Sequence, residues 1–259
     1  ILVVTYGGGH VRALLPIIKK LKKENLKLIT IGLTTAKPFL INNGIKDCLG
    51  SNDLLEKEDK RYTKLAEKIV GDDTHEDIDF LDTIAYHAIG IRELVEIFGL
   101  QKGLERAKNK GRQIFEPLGF AKRFLKKTKP DLLITSISPR TELAFQKAAH
   151  SLNINSLAIC DTFVESLNSY VFKNNYSKNL TVLCEKEKIQ LQKKGYSGKI
   201  FIGGNPAFDS LFYKFQKNKA ELLKKSLNIG NKKIISWCTH PRHIEHLKDR
   251  HQFVNPEEM

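Results

Sequence analysis

The stretch ILVVTYGGGHVRALLPIIKKL, residues Ile1 to Leu21, decides the fold. Its first five residues, Ile1 to Thr5, are apolar or β-branched and predict a buried strand. A run of glycines follows, and His10 then opens a helical pattern of apolar residues. Strand, glycine turn and helix are typical of a nucleotide-binding α/β unit, because glycine lets backbone N–H groups approach an anion at the positive end of the helix.

The glycine run alone is compatible with a plain tight turn between a strand and a helix. It does not have the GxGxxG spacing of a dinucleotide fingerprint, and no Lys-Ser or Lys-Thr follows it as in a P-loop. The assignment to a ligand-binding turn therefore depends on what the rest of the chain adds.

Composition limits the classes of partner. The chain has 259 residues, 41% of them hydrophobic, which is enough for one large or two modest cores. No apolar run reaches the roughly 18 residues of a membrane-spanning helix. The net charge of +14 fits nucleic acid, an anionic membrane or phosphorylated substrates. No nucleic-acid-binding motif accompanies the charge, so we do not predict a nucleic-acid partner.

Much of the positive charge lies in one segment, Gln101 to Pro130, which has ten Lys or Arg and two Glu. Apolar residues are interleaved with these charges at helical spacing. The pattern predicts either a solvated basic helix or a surface that contacts an anionic membrane. The interleaved residues are Leu104, Ile114, Phe115, Leu118, Phe120, Phe124 and Leu125.

Four cysteines lie far apart in the sequence, at Cys48, Cys160, Cys184 and Cys238, without a CxxC pair. This usage is typical of free thiols in a reducing compartment. It predicts a cytoplasmic protein, with membrane association only through the basic segment.

Alternating strand and helix patterns predict an α/β fold with a doubly wound, mostly parallel Rossmann-like sheet. Between its two halves, Ser51 to Asp79 is highly charged and predicts a loop with one helix, where a mobile substrate loop would lie. Phe80 to Lys129 predicts helices, with a split at Pro117 and Gly119. Strands are predicted at 1–5, 27–33, 129–136, 155–160, 180–184, 199–202 and 233–238, with a further short one at 45–49.

Two strings resemble known families. GHVRALLPIIKKL, Gly9 to Leu21, resembles the first turn of GT-B glycosyltransferases, many of which carry Gly-His, a short spacer and Leu-Leu-Pro. The spacer departs from many members at Ala13, where they have proline. GGNPAFDSL, Gly203 to Leu211, resembles the segment that closes the N-terminal half of UDP-N-acetylglucosamine 2-epimerases and related GT-B proteins. From the residues alone, Asn205 can cap a helix that Pro206 begins.

The resemblance implies a domain plan. Residues 1–211 would form the Rossmann-like, acceptor-side domain, and 212–230 a helical connector. Residues 231–259 would begin a second, donor-side Rossmann-like domain that is incomplete, because a GT-B enzyme carries most of its donor-site motifs later in the chain.

Candidate site residues follow from the rule that ligands bind at the carboxyl ends of parallel strands. We predict His10 as a general base and Asp161 as the carboxylate that orients it. Cations for phosphate would be Arg12, Arg140 and Lys37. The predicted substrate and phosphate-binding residues are Gly7, Gly8, Gly9, Arg12, Ser138, Arg140, Asn205, Thr239, His240 and Arg242.

The histidines His240, His243, His246 and His251 offer a competing reading as metal ligands, since His243 and His246 share a helix face. No third ligand is fixed by the spacing. We expect no metal and no bound cofactor, and regard anion binding by the Thr-His-Pro-Arg group or no ligand role as the alternatives.

The resemblance implies a nucleotide-sugar-dependent, inverting, metal-independent glycosyltransferase of cell-envelope or surface polysaccharide synthesis. Its partners would be a UDP-linked sugar and a sugar or lipid-linked acceptor. One alternative is a UDP-N-acetylglucosamine 2-epimerase-like enzyme, although that family has Gly-Thr-Arg-Pro-Glu where this chain has Tyr-Gly-Gly-Gly-His. The other is a non-catalytic binding half of a GT-B protein.

Overall fold

Six parallel strands form one sheet in the computed structural model of this chain, which describes residues 1–71, 75–164, 171, 176–209, 217–230 and 232–235. The order across the sheet is β2-β1-β3-β4-β5-β6, and each neighbouring pair is parallel. The expected doubly wound, Rossmann-like sheet is confirmed. The strands are β1 (Leu2–Thr5), β2 (Ile29–Gly32), β3 (Leu132–Thr135), β4 (Asn155–Ile159), β5 (Asn179–Val182) and β6 (Lys199–Ile202).

Helices cover both faces of the sheet because alternate strand residues point to opposite sides. Val3 packs in the cluster that holds α1 and α2, whereas Leu2 and Val4 pack in the cluster that holds α3 to α7. The helices are α1 (Gly9–Lys23), α2 (Ala36–Asn42), α3 (Thr63–Val70), α4 (Phe80–Phe98), α5 (Leu100–Lys110), α6 (Leu118–Thr128), α7 (Thr141–Ser151), α8 (Glu185–Lys193) and α9 (Lys217–Ser226).

Two predicted elements differ from those observed. The segment 45–49 forms no strand but a single parallel bridge between Leu49 and Ile31. The basic segment is divided into α5, a 3-10 turn at Gly111–Ile114, and α6. The break before α6 lies at Pro117, the N-cap of α6. Proline has no backbone N–H to donate inside a helix, so it is tolerated at the start of one.

The charged segment after α2 is anchored rather than free at Glu56 to Asp59. The guanidinium of Arg92, on α4, lies 2.8 Å from Glu56 Oε2 and 2.9 Å from Asp59 Oδ1. Arg123, on α6, reaches the same Glu56 oxygen at 2.7 Å. Asp59 is completely buried. Non-local ion pairs, which sequence spacing does not reveal, therefore connect this part of the segment to two helices.

The apolar residues of Gln101 to Pro130 face the core. Phe115, Phe120 and Leu125 are buried, and the other four interleaved residues pack against the same cluster as partly buried neighbours. Peripheral contact of this segment with an anionic membrane stays a prediction. No helix among the described residues is long and apolar enough to cross a membrane.

The chain divides into two compact units, residues 1–213 and 214–259. The second contains α9, and Lys233 to Ile235 have no regular secondary structure there, where the sequence predicts the start of a strand. The rest of that predicted strand lies outside the described residues. The domain boundaries at 211 and 230 remain predictions. Cys48, Cys160 and Cys184 are free thiols.

Candidate functional site

The strand order reverses between β1 and β3, which puts a crevice at their carboxyl ends. Ligands bind at such a switch point in open α/β sheets. The turn after β1 carries Gly7 to His10, the loop after β3 carries Ser138 and Arg140, and Asp161 follows β4. The fold thus brings residues from three separate predicted segments to one edge of the sheet.

At each position of the turn after β1, a different physical reason favours glycine over other residues. A Cβ on Gly7 would lie 1.8 Å from Thr35 Oγ1, so the strand and the loop after β2 approach too closely for a side chain. Gly8 has φ +70° and precedes α1 as its N-cap, without a side chain to bind the first amides. A Cβ on Gly9 would lie 2.9 Å from Asp161 Oδ2. The turn therefore leaves the helix N-terminus open and admits a carboxylate beside it.

His10 and Asp161 are brought together as predicted. His10 Nδ1 lies 3.2 Å from Asp161 Oδ2, with side chains 26% and 8% exposed, respectively. The contact sets the imidazole against a carboxylate, and it is an ion pair when His10 is protonated. Burial by itself lowers the pKa of His10, but Asp161 and the nearby Glu142 outweigh this effect, so the pKa is raised.

Glu142, in the first turn of α7, is the residue that the sequence reasoning missed. It is completely buried and links the ends of β1 and β3. Its Oε1 accepts a hydrogen bond from the Tyr6 amide at 2.6 Å, and its Oε2 accepts from Ser136 Oγ at 2.5 Å and the Ser138 amide at 3.2 Å. Burial raises the pKa of Glu142, although its donors and His10 oppose the shift.

Arg140 lies against Tyr6 on the same edge. Its guanidinium carbon is 4.6 Å from the centre of the Tyr6 ring, and the Tyr6 hydroxyl donates to the Tyr86 hydroxyl at 3.2 Å. Tyr86 is buried on α4, and this burial strongly raises its pKa. The aromatic pair holds a cation beside the crevice without neutralising its charge.

Unpartnered buried polar atoms are concentrated at this edge. Ser138 Oγ, Arg140 Nε and Asp161 Oδ1 have no hydrogen-bond partner among the described residues. Buried polar atoms are normally paired, so three unpaired ones on successive strand ends distinguish this edge of the sheet.

Asn205 acts on Asp161 through the backbone. Its Nδ2 donates to the Asp161 carbonyl at 2.9 Å, and its Oδ1 accepts from the Ala207 amide at 3.0 Å. The capping role expected for Asn205 is confirmed, at the start of a 3-10 turn, Pro206–Phe208. The Gly-Asn-Pro string thus fixes the loop that carries Asp161.

Two of the three side chains that we predicted as cations for phosphate, those of Lys37 and Arg12, lie outside the His10 cluster. Lys37 Nζ is paired with Asp53 at 3.0 Å and Asp82 at 2.9 Å, so its charge is already compensated. Arg12 is exposed, with its guanidinium 5.1 Å from the centre of the Phe39 ring. It lines a groove of about 300 Å³ with Gly8, beside the crevice rather than within the His10 cluster.

The second predicted anion group, Thr239, His240 and Arg242, lies outside the described residues, and so do the histidines proposed as metal ligands. Within the residues that the structure does describe, no three His, Cys, Asp or Glu side chains are grouped to hold a metal ion.

No protein-family model matches the chain, and no curated protein matches it. Solved structures match instead. The UDP-GlcNAc 2-epimerase from Methanocaldococcus jannaschii is 18% identical with a TM-score of 0.50, over 87% of this chain and 52% of that one. The structure of the same epimerase in complex with UDP-GlcNAc and UDP is 17% identical, with a TM-score of 0.50, over 87% of this chain and 53% of that one. The S. aureus MnaA structure with UDP is 12% identical, with a TM-score of 0.50, over 88% of this chain and 50% of that one.

The chain therefore spans about half the length of the structures that it matches. At these identities the similarity shows the fold alone. It confirms the expected resemblance at that level: the chain has the GT-B-type fold of UDP-GlcNAc 2-epimerases over about half of their length.

Proposed function

We propose that the chain supplies the acid–base side of an enzyme that acts on a UDP-linked sugar by 2-epimerisation. The pair of His10 and Asp161 at the switch point, beside the uncapped N-terminus of α1, carries the proposal. The fold shared with epimerases, two of them solved with UDP or UDP-GlcNAc, supports the substrate class.

Inversion at C2 by proton transfer would remove the proton from one face while the C–H electron pair forms a C1–C2 double bond and the UDP leaves C1. A proton would then return to the other face of C2 as the UDP adds back to C1. Such a reaction needs acid–base groups on a ligand-facing surface, each worth roughly 10²–10⁴ in rate. His10 is partly exposed, and an imidazole can both accept and donate a proton. Its pKa is raised because Asp161 and Glu142 outweigh the effect of burial. Asp161 lies beside it with one free buried oxygen, Oδ1.

Anion binding would come from the same edge. The N-terminus of α1 has no side-chain cap, so its first amides and the helix dipole are directed to the crevice. Arg140, which lies over the Tyr6 ring, adds a full positive charge. We assign the diphosphate to these groups.

A second candidate is inverting, metal-independent glycosyl transfer for envelope or surface polysaccharide. The position of His10 favours it, since a histidine oriented by Asp161 can take the proton from an acceptor hydroxyl. The substrates would then be a nucleotide sugar and a sugar or lipid-linked acceptor. A non-catalytic binding half remains the third alternative.

One experiment separates these candidates. The chain is incubated with UDP-GlcNAc in D₂O without an acceptor, and the C2 proton is followed by NMR. Epimerisation predicts deuterium at C2 and a second sugar epimer, both lost in His10→Ala. Transfer predicts no exchange, with consumption of the sugar nucleotide only after an acceptor is added. Binding without consumption, unchanged in His10→Ala, would favour the non-catalytic half.

A further inference from the structure

A cavity lies among α3, α4 and the turn after α5, and Tyr86, the hydrogen-bond partner of Tyr6, separates it from the His10 site. Its volume is about 450 Å³, within the range of small-molecule sites. Thr34, which follows β2, is at one side, and Thr83 and His87 of α4 line it. The Thr83 carbonyl lies 2.9 Å from His87 Nδ1, and the His87 ring packs edge-to-face on Phe115, so this wall is fixed.

Positive charge dominates the lining. Lys108, Lys110 and Arg112 come from the end of α5 and the turn that follows, and none of them forms an ion pair with a residue that the structure describes. Among the described residues of the lining, Asp82 is the acidic one. Its carboxylate is already bound to Lys37 and to the Asn52 amide, so it does not offset the three cations.

The helix dipole explains part of this pattern, since lysines in the last turn of α5 favourably compensate its negative end. It does not explain Arg112, which lies beyond the end of α5 and lines the same cavity. Three cations that converge on one cavity with a hydroxyl and an imidazole are a donor set for phosphate oxygens.

We propose that this cavity binds the phosphate group of a second ligand, with Lys108, Lys110 and Arg112 as its ligands. His75 lines both this cavity and the 300 Å³ groove beside Gly8 and Arg12. The two spaces are therefore neighbours, and a bound phosphate compound can extend toward the turn of α1. The proposal is independent of which reaction the His10 site performs.

The test uses inorganic pyrophosphate as the probe. Calorimetry measures its affinity for the wild-type chain, and NMR follows the His75 and His87 ring signals. We expect both rings to respond, and Lys108→Gln/Lys110→Gln/Arg112→Gln to weaken binding about tenfold or more, as loss of charge-assisted hydrogen bonds implies. The matched control, Lys19→Gln/Lys20→Gln/Lys23→Gln, removes the same charge from the exposed side of α1 and should retain affinity.

Arg140→Gln distinguishes this cavity from the His10 site. If it abolishes pyrophosphate binding while the triple variant at the cavity does not, the phosphate binds at the switch point and the inference is overturned. Equal weakening by both triple variants would also overturn it, because only net charge would matter. Vesicles with and without phosphatidylglycerol identify the source of the phosphate group. Vesicle binding that needs both phosphatidylglycerol and the three cavity cations indicates a lipid phosphate. Binding of pyrophosphate without binding of vesicles indicates a soluble phosphate compound.

Discussion

Removal of the Glu142 carboxylate tests the physical account of the site most directly. Glu142→Ala leaves three buried donors without acceptors: the Tyr6 amide, Ser136 Oγ and the Ser138 amide. Each unsatisfied buried donor costs about 1–3 kcal/mol. Burial of the carboxylate itself opposes folding, as its raised pKa shows, so we expect a net loss of about 3–5 kcal/mol. This is a large part of the roughly 5–15 kcal/mol that stabilises a domain.

Urea unfolding followed by far-UV circular dichroism measures this loss. Glu142→Gln should lose less, about 1–3 kcal/mol, because one amide oxygen still accepts while its NH₂ group faces a donor. Glu105→Ala, on the exposed side of α5, is the control and should stay within about 0.5 kcal/mol of wild type. A loss below about 1 kcal/mol in Glu142→Ala would refute the claim that the carboxylate joins the ends of β1 and β3.

The contribution of Glu142 to the free energy of unfolding depends on pH with a defined sign. Because the pKa of Glu142 is higher in the folded chain than its ordinary value of 4.5, the folded state favours the protonated acid. Its contribution to the free energy of unfolding is complete below pH 4.5 and declines as the pH rises through the folded pKa. The stability of wild type relative to Glu142→Gln should therefore fall over this interval. An increase would contradict the assignment.

Three further perturbations follow. Asp161→Asn should lower the pKa of His10 in NMR titrations. In wild type, protonated His10 adds stability that is complete below pH 6.5 and is lost as the pH rises through the raised pKa, and this contribution should shrink in the variant. An unchanged pKa would contradict the interaction between His10 and Asp161. Gly7→Ala should cost about 1–3 kcal/mol in urea unfolding by overpacking, and less in a Thr35→Ala background, since the Cβ would meet Thr35 Oγ1; equal costs in both backgrounds would exclude that clash. Arg92→Met should cost about 3–5 kcal/mol in the same assay by leaving the completely buried Asp59 without its cationic partner, whereas a loss below about 1 kcal/mol would show that these ion pairs do not anchor the segment.

Local sequence patterns predicted the sheet and part of the site. Strand β3 was predictable because an apolar run lies between Pro130 and Ser136, and the approach of His10 to Asp161 because carboxyl ends of parallel strands share one edge. The pairing of Lys37 with Asp82 was not predictable, since 45 positions separate them and no spacing rule relates them. Helical spacing likewise showed that Phe120 belongs to an apolar face, but not that this face meets the core.

Glu142 escaped prediction because an acidic residue in the first turn of a helix ordinarily interacts with the dipole. The structure uses such a residue twice in a different way. Glu187, in the first turn of α8, is also buried and accepts from the amides of Leu183, directly after β5, and Val164, in the loop after β4. A buried glutamate that joins two strand ends is thus a structural device of this sheet. Only Glu142 lies at the switch point and raises the pKa of His10, so its electrostatic effect on His10, rather than its burial, connects it with the proposed chemistry.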